Sequence, residues 1–367
     1  MSFSARARIR LEALDHNFAV LKKAAGTARI TSVVKANAFG HGILAVARRL
    51  SRADSFAVAR LYEARLLRND GITRPIELLS GVMTAEELQE AVALGCEIVV
   101  HDRRQLELLQ SYGRGKVIAW LKVDSGMHRL GIRPTDAPAF LDDLRSCRAV
   151  AEVRLMTHLA SADRAADPQT ARQLESFAPL LEGFDGAVSI ANSAAVLGQS
   201  NLLQRMSARC VDLWVRPGIA LYGISPFPGQ TGSELGLEPV MEFESRLVAV
   251  KPVAKGQPVG YGGTWTAAND TVIGIVSAGY GDGYSRFLPS GTPVLVSGRR
   301  VGIAGTISMD LLAVDLGPDA VDRVGDPVTL WGRDLPVEEV AAAAGTIAYQ
   351  LVCGVTYREP GMVESTG

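Results

Sequence analysis

The sequence predicts a (β/α)8 barrel of the TIM type followed by a mostly β C-terminal domain, on three observations. Short apolar runs alternate with amphipathic helical patterns over the first two thirds of the chain, eight such runs occur, and after Tyr222 glycine, proline and short strand patterns take over. The runs fall at 30–34, 55–59, 75–79, 96–100, 117–123, 153–157, 187–191 and 211–215. Parallel strands with right-handed helical crossovers close on themselves when the unit returns eight times. Helical patterns sit between the runs, as at 84–94, where Thr84 caps the first turn and Glu87 completes a capping box. An open doubly wound sheet fits the same strand count. No Gly-x-Gly-x-x-Gly follows the first strand, however, so a dinucleotide-binding fold loses its main support.

The stretch from Gly223 to Pro239 is dense in glycine and proline and sets a domain boundary near residue 235, with a barrel over 1–235 and a β domain over 236–367. Strand patterns follow at 240–251, 272–276, 293–297, 300–304, 311–316 and 327–331, and helical signal is confined mainly to 337–344. The strand-like segment 7–11 precedes the first barrel helix and is a candidate to join the β domain instead. A chain of 367 residues, 47% hydrophobic, can bury a large core. Its formal net charge of -1 leaves no electrostatic footprint for nucleic acid. No stretch is long enough to span a membrane, and the basic start lacks the apolar core of a signal peptide. Cys96, Cys147, Cys210 and Cys353 form no CxxC pair, which argues against a metal site or a disulfide framework and fits a cytoplasmic protein.

The chemistry gathers at the strand ends. Lys35 follows the first run, Lys122 ends the fifth, His158 the sixth, Asn192 and Ser193 the seventh, and Arg216 the eighth. Side chains at the C-terminal ends of barrel strands converge on one mouth, where the active sites of this architecture lie. Taken singly, each has an ordinary explanation: His158 as a core histidine, Arg216 as a snorkelling cation, Asn192 as a turn former, Lys35 as a surface amine. Six on one rim favour a site. A lysine amine with a depressed pKa can attack a carbonyl. The loops that open with Asn192-Ser193 and with Arg216-Pro217-Gly218-Ile219 stand where barrels offer backbone amides to phosphate. Lysine and phosphate cradle together describe pyridoxal 5'-phosphate, although a sugar phosphate would use the same parts. Arg216 has no lone pair to accept a proton, so at a pyridine nitrogen it would hold that nitrogen unprotonated and favour clean proton exchange.

At this point a resemblance becomes specific. Val33-Val34-Lys35-Ala36-Asn37-Ala38-Phe39-Gly40-His41-Gly42 resembles the cofactor-lysine signature of alanine racemases, and Lys122-Val123-Asp124-Ser125-Gly126-Met127-His128-Arg129-Leu130-Gly131 resembles their second motif. The likeness continues in order through Thr157-His158, 191–195, 215–223, 259–265, 279–283 and Ser308-Met309-Asp310. It implies a homodimeric, pyridoxal-phosphate-dependent racemase with two composite sites. Lys35 matches the base on one substrate face, and Tyr261, brought by the second domain of the other subunit, matches the base on the opposite face. A tyrosine needs neighbours to act as a base at neutral pH, and His158 and Arg216 are the implied network. Arg129 resembles the arginine that meets the cofactor's phenolic oxygen and the substrate carboxylate, a task suited to a guanidinium. Lys122 matches a lysine that is carbamylated in many relatives, and a bound anion or free carboxylate could do the same work. Met309 matches a residue whose backbone amide meets the substrate carboxylate. Asp163, Tyr280, Arg286 and Tyr357 match positions lining the entrance or the cofactor pocket.

Two positions depart from the pattern. Phe39 stands where most relatives carry a tyrosine whose hydroxyl reaches the cofactor phosphate, so one hydrogen bond worth at most ~1.5–3 kcal/mol is missing. Thr306 replaces an arginine often seen at the entrance, which widens the corridor and predicts a relaxed substrate range reaching serine or lysine. Other classes are distinguishable. A decarboxylase of the same architecture usually offers a carboxylate where this chain has Arg216. A non-enzymic carrier of the cofactor has no use for Tyr261, and a cofactor-free lyase would lack visible absorbance.

Overall fold

The computed structural model describes residues 3–113, 115–356 and 363–366. Eight parallel strands close the predicted barrel: β2 (Arg29–Val33), β3 (Ser55–Val58), β4 (Ile76–Leu78), β5 (Cys96–Val100), β6 (Val117–Lys122), β7 (Val150–Met156), β8 (Ala187–Ala191) and β9 (Asp212–Val215). The last pairs with the first, Ile30 opposite Val215, which excludes the open sheet. Strands buried on both faces must be apolar almost throughout, and β5, as Cys-Glu-Ile-Val-Val, is buried at every position. Its glutamate, Glu97, is therefore an exception that needs a partner.

The chain begins in the other domain. Strand β1 (Arg6–Arg10) alternates half-buried arginines with fully buried Ala7 and Ile9, and pairs antiparallel with β10 (Met241–Val253) and parallel with β18 (Val363–Thr366). The helix Leu11–Ala25 then buries Leu14, Phe18, Leu21 and Ala25 along one stripe against the barrel. From that stripe Asn17 donates Nδ2 to the carbonyls of Leu221 and Glu238 and accepts the Glu238 N–H, so one buried amide ties the barrel exit to the second domain.

The second domain adds β11 (Pro258–Val259), β12 (Trp265–Thr266), β13 (Thr271–Val276), β14 (Pro293–Val296), β15 (Arg299–Ile303), β16 (Leu312–Gly317) and β17 (Pro327–Trp331). Long β10 bends, pairing β17 near Phe243 and β13 beyond Leu247, and so closes β13, β16, β15, β14, β17 and β10 into a ring. The helix expected at 337–344 forms over Val337–Ala343, but a second, unexpected one follows at Ala348–Gly354. It buries Ala348, Leu351 and Val352 against the barrel, and such tertiary packing, not local propensity, stabilises so short a helix.

Candidate active site

The turn carrying Lys35 is left-handed. Ala36, Asn37, Ala38 and Phe39 all have φ between 52 and 55, a region that costs a residue with a Cβ about 1–2 kcal/mol each. The surrounding chain imposes it. Glu63 accepts the Ala36 N–H on Oε1 at 2.5 Å and the Ala59 and Arg60 N–H groups on Oε2 at 2.9 and 3.1 Å. Asn37 Oδ1 accepts from Ile43 N–H at 2.9 Å, and His41 Nδ1 donates to the carbonyls of Ala38 and Phe39 at 3.0 and 2.9 Å. Gly40 ends the turn where a Cβ would stand 2.1 Å from the Val352 carbonyl oxygen, so only glycine lets the turn press onto the Ala348–Gly354 helix. Strain held by several independent contacts is characteristic of a functional position.

Around this turn the rim concentrates positive charge. The Lys35 amine is pushed below the ordinary lysine range by burial and then by Arg129, with Glu63 opposing. Lys122, at the end of β6, is pushed down to about 7 by burial and then by Arg216, Arg129 and Lys35. Burial, then the same Arg216, Lys122 and Arg129, hold His158 well below the usual histidine range. At neutral pH His158 is therefore uncharged, and much of Lys122 is free amine. Arg216 is buried and lowered to about 10 by burial, so it stays ionised; it donates to Ser189 Oγ and, at 2.6 Å, to the Thr157 carbonyl. Asp124, the acid nearest in sequence, spends Oδ1 on the N–H groups of Gly126, Met127 and His128, which shapes the loop bearing exposed Arg129. Among the described residues the cations of this rim outweigh Glu63, Asp124 and Glu77, the carboxylates that act on them, and such an excess attracts anions.

The opposite side of the mouth fits a phosphate. Ser193 Oγ accepts the N–H groups of Gly218 and Ala220 at 2.9 and 3.3 Å, which commits its lone pairs and leaves its hydroxyl hydrogen to donate. Asn192 holds that loop by accepting Ala195 N–H and donating to the Leu159 carbonyl. A Cβ on Gly218 would stand 3.1 Å from the Phe39 ring, so the backbone at Gly218 and buried Ile219 is kept open by the absence of a side chain. Phe39 itself is buried, its ring 5.0 Å from Tyr222 and 6.1 Å from Tyr349, and brings no hydroxyl to the cradle. An amine held below its usual pKa, a hydroxyl-and-amide cradle and a buried guanidinium are the donor set that pyridoxal phosphate requires.

The second domain presents the remaining residues on one exposed face. Tyr261 is 70% exposed in the turn Tyr261–Gly263, and Thr264 there meets Thr306, hydroxyl to hydroxyl, at 3.1 Å. Tyr280 N–H bonds the Ser308 carbonyl, Gly281 N–H that of Met309, and Arg286 Nη1 that of Ile307. The loops around 261, 280 and 308 thus form one surface with Tyr280, Arg286 and 52% exposed Met309 upon it. Arg286 also lies 5.9 Å from the Tyr280 ring, whereas Asp163, on the barrel side, faces Arg164 at 4.0 Å. Tyr357 lies outside the described residues.

Several functional neighbours escaped sequence reasoning. Glu63 supports the strained turn, and Tyr349, pushed up to about 12 by burial and then by Asp163, sits between Phe39 and the barrel loop. Inside the barrel Glu77 accepts from Thr31 at 2.5 Å and Ser55 at 3.1 Å, and burial raises it to about 7. The signal for the last was present: one acidic residue in the middle of an otherwise apolar run.

Comparison with known proteins places both domains. Residues 9–226 match the model of the alanine racemase N-terminal domain and residues 240–363 that of the alanine racemase C-terminal domain. The chain is 49% identical to the alanine racemase of Vibrio cholerae over 359 residues, 97% of each chain, and 48% identical to that of Shewanella piezotolerans over 355 residues, 96% of this chain and 97% of the other. It also resembles the crystal structure of the biosynthetic alanine racemase from Pseudomonas aeruginosa, with a TM-score of 0.93, 44% identity and full coverage of both chains.

Proposed function

The chain belongs to the alanine racemase family through both of its domains, and from that premise we propose that it interconverts L-alanine and D-alanine by a two-base mechanism. The observation that carries the reading is the rim itself: Lys35 on a strained turn, its amine held below the ordinary range, among Arg129, His158 and Arg216. The family's cofactor is pyridoxal 5'-phosphate, which, when bound, withdraws electrons from the substrate's α-carbon and makes its proton removable.

The chain's own residues do the rest. Ser193, Asn192, Gly218 and Ile219 hold the phosphate end. Arg216 would face the ring nitrogen of the bound cofactor, where a guanidinium can donate a hydrogen bond and cannot accept a proton, a setting that would favour proton exchange. Lys35 Nζ takes the α-proton on one face, and the hydroxyl of Tyr261 of the partner subunit delivers a proton on the other; the reverse reaction exchanges the roles. Arg129 and the Met309 backbone orient the substrate carboxylate. The exposed face bearing Tyr261, Tyr280, Arg286 and Met309 supports a homodimer in which each second domain completes its partner's site. Asp163 lines the approach from the barrel side, and Tyr357 follows the helix that abuts the Lys35 turn in sequence.

The free amine of Lys122 can add carbon dioxide, forming an N–C bond and releasing one proton to water. The resulting carbamate turns a repelling cation into an anion that steadies Arg129. Among the described residues no helix is long and apolar enough to cross a membrane, and a cytoplasmic location is part of this reading. The test is direct: the holoenzyme incubated with L-alanine in deuterated water forms D-alanine with deuterium at the α-carbon. Release of carbon dioxide instead would favour a decarboxylase, and no turnover would remove the reading. Serine and lysine, tried in parallel, decide whether Thr306 widens the range.

A further inference from the structure

The phosphate cradle and the turn that carries Lys35 are joined by one side chain, Tyr222. This residue closes the short helical turn Ile219–Tyr222 that continues the cradle from Gly218, and it is fully buried. Its hydroxyl donates to the Val33 carbonyl at 3.0 Å, just before Lys35. Its ring lies 5.0 Å from Phe39 and, stacked, 4.5 Å from His41, both just after Lys35. One aromatic residue therefore brackets the left-handed turn from both sides. Val33 is held a second time by the same segment, since its N–H bonds the Pro217 carbonyl at 3.1 Å. These two bonds carry the contact between the ends of β2 and β9 beyond the pairing of Ile30 with Val215, up to the residues that do the chemistry.

The segment is braced from behind. Asn17 Nδ2 donates to the Leu221 carbonyl at 3.1 Å and the Val240 N–H to the Tyr222 carbonyl at 3.2 Å. Burial holds the Tyr222 hydroxyl well above the ordinary tyrosine range, so it stays a donor at working pH. In a close-packed interior a displacement at Gly218 or Ile219 passes forward to Val33, because neither end of the segment has space to absorb it. We propose that Tyr222 is a positioning residue that couples the two ends of the cofactor site, so that an anion seated in the cradle improves the presentation of the Lys35 amine to an aldehyde. This rests on the reading of the site given above and adds to it a residue that touches neither substrate nor reacting atoms.

The experiment uses the full chain stripped of cofactor. 5'-Deoxypyridoxal, which keeps the ring and aldehyde but has no phosphate, is titrated with and without inorganic phosphate at constant ionic strength. The Lys35 amine forms a C=N bond with the aldehyde carbon and releases one water, and borohydride fixes the product for mass spectrometry of the Lys35 peptide. In wild type, saturating phosphate is expected to tighten the aldehyde about fivefold, and by reciprocity the aldehyde tightens phosphate by the same factor. Tyr222→Phe keeps the ring beside Phe39 and His41 and deletes only the hydroxyl; both probes still bind, and the factor falls by at least about half. Direct attraction between phosphate and the Lys35 amine persists in the variant, so the fall reads the hydroxyl alone. A merely structural residue would weaken each probe singly and leave the factor unchanged, and that result, like a wild-type factor near one, overturns the proposal. If Tyr222→Phe does not fold, amide hydrogen exchange over residues 33–41 of wild type decides: phosphate alone should slow it, and indifference to phosphate overturns the coupling. Failure of either probe to bind wild type would remove the reading of the site together with the proposal, whereas independent binding of both removes the proposal alone.

Discussion

The two ends of the barrel hold buried and half-buried cations in opposite circumstances. At the N-terminal end Arg154 lies 3.1 Å from both oxygens of Glu97 and 2.6 Å from Glu152, with Trp120 and Trp214 rings 5.2 and 5.7 Å from its guanidinium carbon. Trp120 Nε1 completes the arrangement by donating to Glu97 at 2.6 Å. At the C-terminal end Arg216 lowers the pKa of both Lys122 and Lys35, Glu63, Asp124 and Glu77 oppose only in part, and among the described residues no carboxylate pairs with these cations as Glu97 does with Arg154. The same side-chain chemistry is thus structural where the chain supplies the anion, and functional where the anion must come from outside.

Removing an anion at the closed end carries the largest expected cost. Glu97→Gln leaves the partly buried Arg154 with Glu152 alone and weakens the acceptor of Trp120, and unfolding measured in denaturant should show a loss of about 1–3 kcal/mol, with turnover per folded site unchanged. A rate loss without a stability loss would break the contrast. At the open end the sign reverses. Lys122→Met removes a buried amine whose charged form is disfavoured by burial and by Arg216, Arg129 and Lys35, so the cofactor-free protein in buffer purged of carbon dioxide should be as stable or more stable, by up to about 1 kcal/mol, while alanine turnover falls. Wild-type protein equilibrated with bicarbonate should gain the mass of one carbon dioxide per chain, and Lys122→Met should not.

Glu77, midway up the barrel, gives the smallest and most specific effect. Its folded pKa of about 7 lies above the ordinary 4.5, so between those pH values the folded chain binds more protons than the unfolded one. Stability from this group is full below pH 4.5 and is lost as pH rises to about 7. Glu77→Gln should flatten that descent in a series of melting curves and raise stability relative to wild type at pH 8. An unchanged slope would mean that Arg216 keeps Glu77 ionised and that the open end is less short of anions than described.

The barrel was legible because eight largely buried parallel strands need eight apolar runs, and the rim residues were legible because polar residues stand at the ends of those runs. The left-handed turn was not. Ala36, Asn37, Ala38 and Phe39 include no glycine, and nothing in their types asks for positive φ; the demand comes from Glu63, which reaches the turn from another helix. The Ala348–Gly354 helix was hidden for a similar reason, since its stability comes from the wall it packs on. Glu77 and Glu97 left a trace as lone acids in apolar strands, but only the fold reveals that one faces Arg154 and the other a pair of hydroxyls.

The central claim is that Lys35 and Tyr261 act on opposite faces of one substrate from two different subunits. Lys35→Ala and Tyr261→Phe proteins, each nearly inactive alone, can be unfolded, mixed in equal amounts and refolded together with cofactor. If the site is composite, half of the dimers are mixed and one of the two sites in each is intact, so about a quarter of wild-type racemisation returns. If both bases belonged to one chain, every site would keep a single defect and mixing would restore nothing.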